Sequence, residues 1–321
     1  MPESRTPWNM ADETHAGLVS TIPRFRQLAK HGGPFEHKPK VLLEGDSWFS
    51  YPRKILIGIG EPRNLAKCLH KKTRRRWLLC RLSRNGEELR GMFDFHPNQV
   101  AGKSKKKAEE IWRKSHTGFL VRQVANNHFD HFLLSAGGND IVHKECRKDG
   151  TAHQEGVRRF LKDTPVPGNA RACLKMSVVK EEMKLMGEHL LELVRAALVQ
   201  RKNPQMRVSI HTYALPFPDG RPFAPGKAYQ QGPWFGCAFE EVGIGQSTAL
   251  AREVVKVLLE EWVTQLGRVR QALPAALRED FVIIDTFHAV ALQKKHWNDE
   301  MHLTEAGYAK VFDEVWKSLN S

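Results

Sequence analysis

Short apolar runs alternate with longer amphipathic segments along most of this chain. Five runs, each ended by glycine or polar residues, indicate buried strands at 40–44, 77–82, 131–136, 207–212 and 281–285. Helical spacing of apolar residues between them predicts helices at 64–70, 104–127, 174–200, 247–272 and 304–319. This alternation predicts parallel βαβ units, whose right-handed crossovers place helices on both faces of one sheet.

Two other segments interrupt this pattern. Residues 1–38 are polar and contain several histidines and prolines, which predicts an N-terminal extension before one domain at 39–321. Residues 214–245 hold five prolines and many glycines, which predicts a long inserted loop. The aromatic residues of this loop leave two alternatives open, a mobile apolar lid over a site or a loop pinned to the core. They are Phe217, Phe223, Tyr229, Trp234 and Phe235.

The composition is that of a globular protein, with 41% hydrophobic and 27% charged residues among 321. No apolar stretch approaches the roughly 20 residues that span a bilayer, and the first residues contain no apolar run typical of a signal peptide. Membrane-spanning, collagenous and conventionally secreted proteins are therefore not expected. The five cysteines are irregularly spaced without a C-x-x-C pair, which predicts free thiols in a reducing cytoplasm.

Basic residues exceed acidic ones, and the formal net charge is +14. The surplus is concentrated at Lys71–Arg76 and Lys103–Lys107, and it favours anionic partners such as an acidic membrane surface or an anionic substrate. No helix-turn-helix, zinc finger or aromatic-basic RNA motif accompanies the charge, so nucleic acid is not the predicted partner. Alternatively, these runs serve only solubility.

Candidate functional residues follow the predicted strands, where open parallel sheets bind their ligands. Gly45-Asp46-Ser47-Trp48 follows the first strand, and Ser83-Arg84-Asn85-Gly86 follows the second. Gly137-Gly138-Asn139-Asp140 follows the third strand. Asp299-Glu300-Met301-His302 comes after the fifth, directly before a helix that Thr304 would cap. Ser, Gly, Asn and His are therefore expected at the same sheet edge.

These four blocks, in this order, resemble the motifs of the SGNH hydrolases, also called the GDSL esterase/lipase superfamily. The first block carries Trp48 where leucine is common in the family, and Gly86 is the best match for the single glycine of the second. The likeness extends from about Lys40 to the C-terminus. Together with the strand–helix alternation, it implies a flavodoxin-like α/β/α fold. The expected sheet has five parallel strands in the order 2-1-3-4-5.

The resemblance implies that Ser47 is a nucleophile, His302 its general base and Asp299 the partner that orients the imidazole. It also implies an oxyanion hole made by the backbone N–H groups of Ser47 and Gly86 and the side-chain amide of Asn139. The chemistry requires such residues, because a serine hydroxyl is a poor nucleophile until a base takes its proton. A carboxylate on the other ring nitrogen selects the useful tautomer. Asp46 is interpreted as a structural residue of the nucleophile turn.

The sequence therefore predicts a carboxylic ester hydrolase that acts through an acyl-enzyme on a small-molecule or lipid ester. No cofactor or metal is predicted, because dinucleotide and P-loop fingerprints are absent and no third ligand joins the histidine pairs. An alternative from another class is a basic protein that binds nucleic acid or a membrane and retains a vestigial hydrolase site. The sequence determines neither the natural ester nor the oligomeric state.

Overall fold

The computed structural model describes residues 17–50, 64–73, 76–223, 232–291 and 293–321. Parts of three predicted features lie outside these ranges. They are residues 1–16 of the extension, Arg74 and Arg75 of the first basic run, and residues 224–231 of the inserted loop, including Tyr229.

The described strands form one parallel sheet flanked by helices, which confirms the predicted fold class. The strands are β1 Leu18–Val19, β2 Lys40–Gly45, β3 Leu78–Arg81, β4 His131–Ser135, β5 Arg207–His211 and β6 Phe281–Ile284. Their order across the sheet is β1-β3-β2-β4-β5-β6. The five predicted strands correspond to β2 through β6 and have the predicted order 2-1-3-4-5.

The prediction of five strands was wrong, because the described residues form a sheet of six. The added strand β1 comes from the segment predicted to be an extension, and it pairs with β3 through Leu18 opposite Leu79. Helix α1, Ile22–Ala29, follows it and buries Phe25, whose ring stacks on Phe129 with 4.6 Å between centroids. A strand of two residues is too short to show a period of two, so the hydrophobic pattern could not reveal it.

Alternate side chains of each strand enter two different hydrophobic layers. In β2, Leu42 belongs to one layer, whereas Val41 and Leu43 belong to the other. On β4, Phe132 joins the layer of Leu42, and Leu133 joins that of Leu43. Because both faces of the sheet are covered, the strands read as continuous apolar runs rather than as an alternation with polar residues.

The remaining helices of the described chain cover these two faces. They are α2 Ser47–Ser50, α3 Leu65–Lys72, α4 Leu89–Met92, α5 Lys105–Lys114, α6 His116–Asn126, α7 Gly138–Val142, α8 Met176–Gln200, α9 Gly236–Glu241, α10 Ala249–Ala272 and α11 Glu305–Leu319. Helices α6, α8 and α10 contribute to the layer that contains Leu42, and α3 and α11 to the layer that contains Leu43. No helix in the described ranges is long and apolar enough to cross a membrane.

The predicted helix at 104–127 is two helices, α5 and α6, which meet at Ser115. This residue is extended, with φ −69° and ψ 151°. Its backbone N–H donates to Ile111 at the end of α5, and its hydroxyl accepts from the N–H of Gly118 at 2.9 Å. Apolar spacing continues through the junction, so the periodicity alone did not indicate the break, although a serine hydroxyl is a common N-cap.

The expectation that all five cysteines are free thiols was wrong. Cys146 and Cys237 form a disulfide between the segment after α7 and helix α9, across 91 residues of sequence. Cys68, Cys80 and Cys173 are buried and take no part in this disulfide. The spacing gave no indication of the pair, because only the folded chain brings these two residues together. A disulfide is uncommon in cytosolic proteins, so the cysteines no longer support the predicted location in a reducing cytoplasm.

Candidate active site

The structure brings all five predicted site residues together at the carboxyl edge of the sheet. Ser47 begins α2 directly after β2, Gly86 follows β3, and Asn139 lies in α7 after β4. Asp299 and His302 lie in the turn before α11. Ser47, Gly86, Asn139 and His302 all line one cleft, with Asp299 buried behind the imidazole.

Two glycines allow the strands to end in this arrangement. Gly45 has φ 153°, and a Cβ atom there would lie 2.4 Å from the carbonyl oxygen of Ser135 on the neighbouring strand. Gly137 has φ 109°, and its Cβ atom would lie 2.7 Å from the Trp262 ring. Only glycine fits both the backbone conformation and the close approach. The backbone conformation and close packing at these two positions therefore explain the first glycine of the first and third sequence blocks.

Ser47, His302 and Asp299 form a continuous hydrogen-bonded line. The Ser47 hydroxyl lies 2.8 Å from His302 Nε2. On the other side of the ring, Nδ1 lies 2.9 Å from Asp299 Oδ1 and 3.0 Å from Oδ2. Asp299 is fully buried, while 8% of Ser47 and 6% of His302 remain exposed at the cleft. An ionised Asp299 accepts from Nδ1–H, and Nε2 is then free of its proton and oriented toward the hydroxyl.

The Asp299 carboxylate also holds the turn that carries His302. Its Oδ1 accepts from the backbone N–H groups of Met301 and His302, each at 2.8 Å. Burial by itself would raise the pKa of Asp299. The electrostatic interaction with His302, its ring hydrogen bond and these two backbone donors outweigh that effect and hold the pKa below its ordinary value. The site therefore keeps this carboxyl ionised.

Gly86 and Asn139, two of the predicted oxyanion donors, line the same cleft as Ser47. Gly86, with φ 70°, belongs to the loop after β3 and lines the cleft. The Asn139 amide nitrogen donates one hydrogen to the carbonyl oxygen of Glu87 at 3.0 Å. An amide has two hydrogens, so the second stays available. The next residue, Asp140, accepts from the backbone N–H of Leu89, which ties the glycine loop to α7 a second time.

A buried polar network behind Ser47 was not predicted from the sequence. Asp46 accepts hydrogen bonds from the Tyr213 hydroxyl, from Ser135 Oγ at 2.7 Å and from the Trp48 N–H at 3.0 Å. Burial raises the pKa of Asp46, and these hydrogen bonds act in the opposite direction. Asp46 thus holds the nucleophile turn. Tyr213 directly follows the fourth predicted strand, so the rule that sheet-edge residues converge could have identified it.

His211 completes this network in a defined protonation state. Burial lowers its pKa to about 3, so the ring is neutral at physiological pH. Its Nδ1 accepts from the Tyr213 backbone N–H at 3.2 Å, which places the proton on Nε2, 2.9 Å from Ser135 Oγ. The imidazole therefore donates to Ser135, and the serine hydroxyl donates onward to Asp46. The buried polar groups of His211, Ser135 and Asp46 beneath the nucleophile turn therefore all have hydrogen-bond partners.

The cleft above Ser47 has a volume of about 260 Å³ and is lined largely by polar side chains. Asn85, His143, Lys144 and Glu145 form its polar walls. A second, apolar pocket of about 20 Å³ lies against Trp48 and shares Val142 and Met301 with the cleft. Within the described ranges, no group of three or more His, Cys, Asp or Glu side chains could hold a metal ion.

Two aromatic rings of the inserted loop flank the imidazole. The Trp234 ring lies 5.8 Å and the Phe223 ring 6.3 Å from the His302 ring, both edge-on. Phe223 and Phe235 are buried in the protein, and Trp234 is half-buried at the cleft. The described flanks of the loop therefore pack onto the domain beside the site, and whether they move as a lid stays a prediction.

Neither the known family models nor the curated proteins match this chain. Several solved structures are similar to this chain. LAE5, an alpha/beta hydrolase enzyme from the metagenome of Lake Arreo, is 14% identical, with a TM-score of 0.42 over 88% of this chain and 95% of that one. TesA is 13% identical, with a TM-score of 0.40 over 87% and 97%. The lipase/acylhydrolase from Enterococcus faecalis is 12% identical, with a TM-score of 0.35 over 88% and 95%.

At these identities, the chemistry of this site can be inferred only from its own residues. SGNH hydrolases and GDSL acylhydrolases, the family that the four motifs resemble, are among the solved structures to which this chain is similar.

Proposed function

We propose that this protein is a serine hydrolase that cleaves carboxylic esters through an acyl-enzyme formed on Ser47. The observation that carries the proposal is the hydrogen-bonded line from Ser47 Oγ through His302 to the buried Asp299. Such a line activates a hydroxyl that is otherwise a weak nucleophile. The adjoining cleft provides space for an ester beside the hydroxyl.

Acylation begins when Ser47 Oγ attacks the ester carbonyl carbon and His302 Nε2 takes the hydroxyl proton. The carbonyl oxygen becomes an oxyanion that can accept from the N–H groups of Ser47 and Gly86 and from the Asn139 amide. One such donor contributes about 3 kcal/mol to the transition state. His302 then returns the proton to the alcohol oxygen as the C–O bond breaks, and the alcohol leaves.

Deacylation repeats the sequence with water as the nucleophile. His302 takes a proton from the water while the oxygen attacks the acyl carbon, and the same donors accommodate the second oxyanion. The proton then passes to Ser47 Oγ as the acid leaves, which regenerates the starting state. Asp299 stays ionised throughout and stabilises the imidazolium that forms in each half-reaction.

A fluorophosphonate probe tests this proposal directly. It should label the wild-type chain at Ser47, and Ser47→Ala should lose both labelling and the release of p-nitrophenol from p-nitrophenyl acetate. Ser177→Ala, at an exposed serine on α8, is the matched control and should behave as wild type. Activity retained in Ser47→Ala would reject the proposal. An unlabelled chain that binds DNA, RNA or anionic vesicles in a salt-sensitive way would favour the basic binding protein instead.

A further inference from the structure

A second carboxylate in the catalytic turn is fully buried and has no role in the proposed reaction. Glu300 lies between Asp299 and His302, yet its side chain points away from them into the inserted loop. Its Oε1 accepts from the backbone N–H groups of Gly220 at 2.8 Å and Gly236 at 3.0 Å. Its Oε2 accepts from the N–H groups of Trp234 at 2.6 Å and Phe235 at 2.8 Å.

The four donors come from both flanks of the inserted loop, on either side of residues 224–231. The same flanks present Phe223 and Trp234 to the His302 ring. The second flank is also joined to the opposite wall of the cleft. There the Gly232 N–H donates to Glu145, and Cys237 is bonded to Cys146. A single side chain thus holds both flanks against the catalytic turn.

Only an ionised carboxylate satisfies this set of donors. Four N–H groups require four acceptor sites, and a carboxylate has two oxygens with about four lone-pair sites. Burial raises the pKa of Glu300 to about 7, while the hydrogen bonds from Phe235, Gly220, Trp234 and Gly236 favour the charged form. A glutamine in its place keeps one oxygen, but its NH₂ group would face two N–H donors. That substitution therefore releases one pair of contacts while preserving the shape of the side chain.

His302 does not depend on Glu300 for its own position. The Asp299 carboxylate binds the N–H groups of Met301 and His302 and the imidazole ring. The turn can therefore keep its internal geometry when the loop flanks are released. This separation means that a defect in the wall of the cleft can be distinguished from a defect in the reacting groups.

We propose that Glu300 is a positioning residue that sets substrate specificity by holding Trp234 at the wall of the cleft beside His302. The proposal rests on the proposed esterase function for its catalytic consequence. The attachment of the loop flanks to Glu300 depends only on the backbone hydrogen bonds, so it can be measured without any substrate. Glu300 acts through the loop and does not touch the reacting atoms.

Amide hydrogen exchange measures how strongly the loop amides are bound to Glu300. In the full-length chain, Glu300→Gln should speed exchange tenfold or more at the pair of loop amides that faces its NH₂ group, either Gly220 and Gly236 or Trp234 and Phe235. The amides of Met301 and His302 should keep their protection. Unchanged exchange at all four loop amides would overturn the proposal. Glu241→Gln is the matched control, because that carboxylate also ties a loop to α9, through the Ala152 N–H and Arg158, away from the catalytic turn.

Kinetics measure the consequence for substrate. Glu300→Gln should raise KM for an ester with a bulky alcohol group, such as naphthyl acetate, about tenfold. The rate of labelling by a small dialkyl fluorophosphonate should stay within about threefold of wild type. Trp234→Ala keeps the backbone donor and removes the ring. It should therefore also raise KM for the bulky ester and leave the rate of labelling within about threefold of wild type. In that background, Glu300→Gln should change KM by less than about twofold, because residues that act through each other are not additive.

The remaining outcomes separate the two proposals. Equal losses of labelling and kcat with unchanged KM would show that Glu300 acts on His302, and would overturn its assignment to the wall. If wild-type Ser47 is not labelled but the loop amides respond as expected, the esterase is rejected and the hold by Glu300 is supported. If Glu300→Gln does not fold, Trp234→Ala decides, and a KM for the bulky ester equal to wild type would overturn the proposal.

Discussion

Asp299→Asn is the most informative single change in the proposed triad, because it alters a proton position with little change in shape. An asparagine oxygen can replace Oδ1 and accept from the N–H groups of Met301 and His302, which lie 2.8 Å from it. Its NH₂ group then faces His302 Nδ1, at the 3.0 Å position of Oδ2. The two lone pairs of that oxygen are taken by the two backbone N–H groups, so Nδ1 accepts from the NH₂ group and the imidazole proton moves to Nε2. The base that faces Ser47 is thereby blocked.

The expected loss in kcat is about 10⁴-fold, as for other triads held in the wrong tautomer. At 1.36 kcal/mol per tenfold, that corresponds to about 5.5 kcal/mol of the activation barrier. The assay is p-nitrophenol release from p-nitrophenyl acetate, with a melting curve to show that the variant is folded. Asp130→Asn is the control, since Asp130 accepts from the Lys40 N–H at the start of the strands, away from the site. A folded Asp299→Asn variant within tenfold of wild type would refute the reasoning.

Four further outcomes are expected. We place the acyl chain of the substrate in the apolar pocket of about 20 Å³ that adjoins the cleft at Val142 and Met301. That space suffices for little more than a methyl group, so acetyl esters should be preferred, and Val142→Ala should improve butyryl esters severalfold in kcat/KM. Cys237→Ser opens a loop of 91 residues and should lower the free energy of unfolding by up to about 4.5 kcal/mol in denaturant titrations. The pKa of Asp299 is lower in the folded than in the unfolded chain, so the ionised carboxyl stabilises the fold. This stabilisation is fully present above the unfolded pKa of about 3.9 and is lost as the pH falls through the folded pKa. In Asp299→Asn, the melting temperature should therefore fall less steeply with decreasing pH than in the wild type. For an anionic ester, kcat/KM should fall between 0.01 and about 0.1 M salt, whereas a matched neutral ester should change little; identical salt profiles would mean that the +14 charge does not steer substrate.

The sequence by itself determined the central sheet and the convergence of the site. Strands covered on both faces are continuous apolar runs, so β2 through β6 were recognisable one at a time. Each chemistry-bearing block follows such a run or precedes a capped helix, and parallel strands bring their carboxyl ends to one edge. Local composition therefore sufficed to place Ser47, Gly86, Asn139 and His302 around one cleft, while their order in the chain indicated the family resemblance.

Only the tertiary structure decided the contacts between residues that are distant in sequence. The pairing of Cys146 with Cys237, the parallel pairing of β1 with β3 and the four backbone donors around Glu300 join segments that no local pattern relates. Hydrophobic periodicity reports whether a position is buried, and it carries no information about which polar groups meet there. A buried carboxylate such as Glu300 must find its hydrogen-bond partners wherever the chain brings them, so its role is visible only in the folded molecule.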